Sequence, residues 1–92
     1  MARAKRSKKK RGGYRPNESG LLREAGRRIA ATRRGLGLTQ EEAADRAGID
    51  YKRYQRLEGG TVNATLRTLL RIADAFETNV WAMLESRGHS RR

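Results

Sequence analysis

Residues 40–60 read QEEAADRAGIDYKRYQRLEGG. The run divides at Ala47-Gly48 into two short helical segments. In the first, Ala43, Ala44 and Ala47 make a face of small residues that lets another helix come close. Gly48 supplies the left-handed backbone at which such a segment stops. The second segment runs from about Asp50, a potential cap, to Leu57. Tyr54 and Leu57 are three apart and define its inward side, while Tyr51, Lys52, Gln55 and Arg56 are left facing out.

A small-residue helix, a glycine turn, an apolar residue (Ile49) and a second short helix with an apolar pair at its back are the parts of a helix-turn-helix. Ala44 has to be small because the helices cross there, and Ile49 and Leu57 anchor the second helix. The flanks extend the pattern. Upstream, Leu21, Ala25 and Ile29 lie four apart with Leu22 as a shoulder, Ser19 is the expected N-cap, and the helix ends at Gly35 or Gly37. Thr39 opens the next helix with Glu42 at its third position, a capping box. Downstream, Thr65 caps a helix carrying Leu66, Leu69, Leu70, Ile72, Ala73 and Phe76, and Asn79 caps a short one holding Val80, Trp81, Met83 and Leu84. No β-alternation of useful length occurs, so the fold class expected is all-α: a compact bundle of about five short helices.

Charge is distributed unevenly. Of 22 Lys+Arg and 10 Asp+Glu, residues 1–20 hold Arg3, Lys5, Arg6, Lys8, Lys9, Lys10, Arg11 and Arg15 against Glu18 alone. Residues 86–92 add Arg87, Arg91 and Arg92, which leaves residues 21–85 with eleven basic and nine acidic side chains. The expected organisation is a basic, disordered N-terminal arm over 1–20, a domain over 21–85 and a basic tail over 86–92, the arm suited to a polyanion. The domain would hold about 65 residues, near the lower limit for folding without staples. With no apolar run in the arm and no cysteine, neither a signal peptide, a membrane anchor, a disulfide framework nor a thiolate metal site is expected. His89 alone does not suggest a metal, no cofactor is implied, and no nucleophile sits beside a base, so an enzyme is not expected. A cytoplasmic, nucleoid-associated protein with an acidic partner is.

The run RRGLGLTQEEAADRAGIDYKRYQRLEGG followed by LRTLLRIADAF is similar to the Cro/C1-type (XRE) helix-turn-helix domain of phage repressors and bacterial regulators. The resemblance spans roughly Gly26 to Leu84 and implies a lambda-repressor-like fold in a transcription regulator. It implies further that the third helix enters the major groove of double-stranded DNA, with Asp50, Tyr51, Lys52, Gln55 and Arg56 toward the base edges. Lys52 and Arg56 suit guanine, whose O6 and N7 both accept. Asp50 would read a base only if it were not spent as a cap. Thr39, Gln40, Arg53, Gly60, Thr61 and Asn63 fall where the family touches the DNA backbone. Arg33 and Glu58 fall where it often buries an ion pair.

Three positions depart from the family pattern. Ala43 stands where leucine is usual and Tyr54 where an aliphatic is usual, which suggests an exchange of volume within one core, with the Tyr54 hydroxyl at the rim. Trp81 replaces a polar residue, and with Val80 and Leu84 it is the candidate dimer contact. The expected assembly is a homodimer on a two-fold related site. Two alternatives are an antitoxin that masks a toxin protein while repressing its own operon, and a general RNA- or chromosome-binding protein.

Overall fold

The computed structural model describes residues 17–85, which form five α-helices and, among those residues, no strand. They are α1 (Glu18–Gly35), α2 (Gln40–Ala47), α3 (Tyr51–Gly59), α4 (Leu66–Ala75) and α5 (Val80–Leu84). The arm residues Arg3, Lys5, Arg6, Lys8, Lys9, Lys10, Arg11 and Arg15, and also Tyr14 and the tail with His89, lie outside the described residues. No described helix is long and apolar enough to cross a membrane.

Local rules fix most helix starts. Thr39 Oγ1 accepts from the Glu42 amide at 3.0 Å while Glu42 returns a carboxylate to the Thr39 amide at 2.9 Å, so the capping box forms. Asp50, Thr65 and Asn79 cap α3, α4 and α5 through side-chain oxygens. The start of α1 differs from expectation. Asn17 is the cap, accepting from the Gly20 amide at 3.1 Å, and Ser19 lies inside the first turn. Helix α1 therefore begins within the stretch assigned to the arm.

Contacts between helices close a ring: α1 packs on α3 and α5, α2 on α3 and α4, and α4 on α5. Inside it lie Ile29, Ala43, Ala44, Ala47, Tyr54, Leu57, Ile72, Ala73, Phe76, Val80 and Met83, all buried. Each larger apolar side chain so covered contributes roughly 1.5–3 kcal/mol. Both unusual residues belong to this core, Ala43 and Tyr54 being wholly inaccessible.

Three expected faces are corrected. On α1 the buried stripe is Gly26, Ile29, Ala30 and Arg33, and Leu21 is 69% exposed. The cause is Gly26, which α3 approaches so closely that an added Cβ would lie 2.6 Å from the Leu57 carbonyl oxygen. That approach rotates the helix away from the Leu21–Ala25 side. On α4 the stripe narrows to Ile72, Ala73 and Phe76, with Leu66 and Leu70 exposed, because α4 meets the core along its C-terminal half. On α5 Val80 is buried in the core and so leaves the candidate dimer contact, whereas Trp81 is 76% exposed.

Candidate nucleic-acid interface

Helix α3 is held from behind. Tyr54 and Leu57 sit in the core, and the C-terminal end is pinned by a turn in which the Thr61 amide bonds the Arg56 carbonyl at 3.0 Å and the Gly60 amide bonds Leu57 at 3.2 Å. Gly60 has φ +74° there, and a Cβ would fall 2.5 Å from Arg23 Cα, so only glycine fits. Held this way, α3 presents Tyr51, Lys52, Arg53, Gln55 and Arg56 to solvent. A hollow of about 430 Å³ lies along this face, lined by Lys52, Gln55, Arg56, Gly59 and Thr61.

Behind the exposed face, Glu58 gathers donors from three helices. Arg33 binds it in fork geometry, Nε to Oε2 at 2.6 Å and Nη2 to Oε1 at 3.1 Å. The Tyr54 hydroxyl donates to Oε2 at 2.5 Å and the Gln40 amide to Oε1 at 2.9 Å. Burial by itself would raise the Glu58 carboxyl, but the bonds from Arg33, Tyr54 and Gln40 outweigh it and hold the group below the usual carboxylate range. Burial and the Glu58 carboxylate together push the Tyr54 hydroxyl far up, so it stays a donor. Arg33 also gives Nη1 to the Leu38 carbonyl at 2.8 Å, tying the α1–α2 loop to the same cluster. The buried ion pair implied by the resemblance is thus present in this structure. The tyrosine hydroxyl turns inward to it and not to the rim.

The amides continue outward. Gln55 Nε2 lies 3.4 Å from Gln40 Oε1 and 3.3 Å from the Tyr51 hydroxyl, which links the buried carboxylate to the first turn of α3. Gln40 spends one amide hydrogen on Glu58 and keeps the other. Asp50 Oδ2 accepts from the Arg53 amide at 3.2 Å, so Asp50 is engaged as a cap. The amides of Gly60 and Thr61 are satisfied internally and Gly60 is buried, whereas Thr61, which lines the hollow, and Asn63 are exposed. Thr39 is exposed with its oxygen committed to the capping box, and Arg53 is exposed on the first turn of α3. Among the described residues no group of three or more His, Cys, Asp or Glu could hold a metal.

Three features escaped the sequence reading. Gly26 had a signal, a glycine in mid-helix where helix propensity argues against it. The Tyr54–Glu58 bond is an i,i+4 pair and was open to inspection. The link from Gln55 to Gln40 spans 15 residues and has no local signal.

Comparison with known proteins agrees with the helix-turn-helix fold. The helix-turn-helix family model HTH_3 matches residues 29–80. The cryptic phage CTXphi transcriptional repressor RstR of Vibrio cholerae is 36% identical over 53 residues, which is 58% of this chain and 47% of that protein. The chain thus spans about half the length of the curated relative it matches. Among solved structures, the restriction-modification controller protein C.AhdI from Aeromonas hydrophila aligns at a TM-score of 0.66 and 29% identity, over 67% of this chain and 94% of that one. An HTH_3 family transcriptional regulator from Vibrio cholerae aligns at a TM-score of 0.72 over 76% of this chain and 39% of the other, and at 20% identity it supports the fold alone.

Proposed function

The chain belongs to the helix-turn-helix family HTH_3, and from that premise we propose that it is a sequence-specific regulator of transcription that reads double-stranded DNA with α3. One observation carries the reading: α3 is packed on α1 and α2, and the face left free carries Tyr51, Lys52, Arg53, Gln55 and Arg56 with no acidic side chain. That RstR is a transcriptional repressor and C.AhdI a controller protein supports it.

Lys52 and Arg56 are the main readers, each offering several N–H donors to guanine O6 and N7. Tyr51 packs on a thymine methyl or donates to a phosphate. Gln55, bonded to both Gln40 and Tyr51, sets their positions as much as it reads. Asp50, engaged as a cap, contributes through the start of α3. Gln40 gives its remaining amide hydrogen to a phosphate, with Thr39, Arg53, Thr61 and Asn63 along the same backbone. The basic arm adds affinity for any sequence by releasing counterions, about 0.9 per phosphate neutralised.

One domain reads too few base pairs for unique recognition, so the active species is a homodimer on half-sites about 10 base pairs apart. Trp81, exposed on α5 with Leu84 beside it, is the contact proposed for the two-fold. Selection of bound sequences from a random duplex pool tests specificity, symmetry and spacing together. In the selected duplex, Arg56→Ala narrows the gap between cognate and random DNA by about 1–3 kcal/mol. Equal loss on both would make Arg56 a phosphate contact.

A further inference from the structure

The direction of the hydrogen bonds on the outward face of α3 is set from inside the core. Glu58, held ionised by its partners, can only accept. Gln40 reaches Glu58 Oε1 at 2.9 Å, so the end it turns to the carboxylate is its amide nitrogen. A glutamine amide has one donor end and one acceptor end, which leaves Gln40 Oε1 toward Gln55 at 3.4 Å.

Facing that acceptor, Gln55 has to present Nε2. The same nitrogen lies 3.3 Å from the Tyr51 hydroxyl. Amide nitrogen does not accept, so Tyr51 accepts there and its own proton points away from Gln55. Both amide hydrogens of Gln55 are thereby spent, and its Oε1 takes no hydrogen bond among the described residues. Gln55 is exposed and lines the outward hollow together with Lys52 and Arg56, which can only donate. A glutamine free to turn grips adenine with both ends, accepting from the exocyclic amine and donating to N7. Gln55 has only the accepting end to give.

We propose that Glu58, acting through Gln40, fixes Gln55 as an acceptor, so that Gln55 reads the exocyclic amine of adenine or cytosine and leaves purine N7 unread. The proposal rests on the reading of α3 as the helix that meets the bases. Gln40 and Glu58 are positioning residues in it, and Gln55 is the residue that touches DNA.

The test uses the full chain and the duplex selected from a random pool. The base pair that Gln55 faces is the one at which Gln55→Ala relaxes the preference; if no pair relaxes, the proposal is overturned. At that pair two base analogues are compared in the wild type and in Gln55→Ala, one with the exocyclic amine replaced by hydrogen and one with purine N7 replaced by a C–H group. Loss of the amine weakens the wild type by roughly threefold to tenfold, the worth of one hydrogen bond, and leaves Gln55→Ala unaffected. Loss of N7 weakens both proteins equally or neither. A loss on the N7 analogue that depends on Gln55 means that Gln55 donates, and overturns the proposal.

Gln40→Met tests the relay. It removes the acceptor that holds one Gln55 hydrogen, so a loss on the N7 analogue absent from the wild type appears in this variant. Uniform weakening on all duplexes, with the N7 analogue still tolerated, would make Gln40 a phosphate contact alone and overturn its positioning role. Should the wild-type chain bind no duplex, the functional reading fails, and the relay is decided in the DNA-free chain by the side-chain amide resonances of Gln55. Gln40→Met shifts them if Gln40 holds that amide, and resonances left in place remove the relay.

Discussion

The α1–α3 contact and the α4–α5 contact belong to the same small ring of helices but are made differently. Between α1 and α3, backbones meet at Gly26 and Gly60, and a buried carboxylate takes donors from Arg33, Gln40 and Tyr54. Between α4 and α5, the contact is made by buried apolar side chains, among them Ile72, Phe76, Val80 and Met83. A single exposed bond of 3.4 Å, from Arg71 to the Gly48 carbonyl, reaches from α4 to the turn before α3. Apolar burial is nondirectional and tolerates small shifts, whereas four hydrogen bonds on one carboxylate admit one arrangement. The half that is fixed by direction is the half that aims α3.

If that contrast holds, Glu58→Ala is the most damaging change. It strands Arg33 in the interior and costs about 3–5 kcal/mol, measurable by urea unfolding. A loss under 1 kcal/mol would mean that the apolar ring alone orients α3. Tyr54→Phe keeps the volume and removes one donor, for about 1.5–3 kcal/mol.

The Tyr54→Phe change also moves the acid limit. Glu58 has its folded value depressed, so the stability it lends is complete above the usual carboxylate range and drains away as pH falls toward that depressed value. Losing the Tyr54 bond lessens the depression, so acid unfolding of Tyr54→Phe, followed by circular dichroism, begins at higher pH than in the wild type.

In the apolar half a change can help. After α4, Glu77 occupies the left-handed region at φ +58°, with its amide on Asp74 and the Thr78 amide on Ala73. The same double bond ends α2 and α3, where the left-handed residue is glycine. Glu77→Gly therefore raises stability by about 0.5–1 kcal/mol, and a thermal scan showing no gain would point to a compensating contact of the carboxylate.

What could be read in the sequence was what is decided locally. The caps Thr39, Asp50, Thr65 and Asn79 follow from side chains bonding amides a few residues on, and the Gly48 turn follows from a backbone conformation that glycine favours. The rotation of α1 had only the mid-helix Gly26 as its sign. The stripes Leu21–Ala25–Ile29 and Gly26–Ile29–Ala30–Arg33 both satisfy helical spacing, and α3, arriving 30 residues later, chooses between them. The site divides likewise. The outward face of α3 follows from its periodicity, but Arg33 with Glu58, 25 residues apart, was suggested by resemblance and not by spacing.

The position of Glu58 also bears on how recognition could be altered. It lies two residues past Arg56 and three past Gln55, on the helix proposed to read the bases. A transplanted α3 lacking Glu58 would arrive without the acceptor for Arg33, Tyr54 and Gln40, and would settle at another angle. The transferable cassette is therefore not one helix. It is α3 together with Arg33 and Gln40, and substitutions among these four partners will combine non-additively.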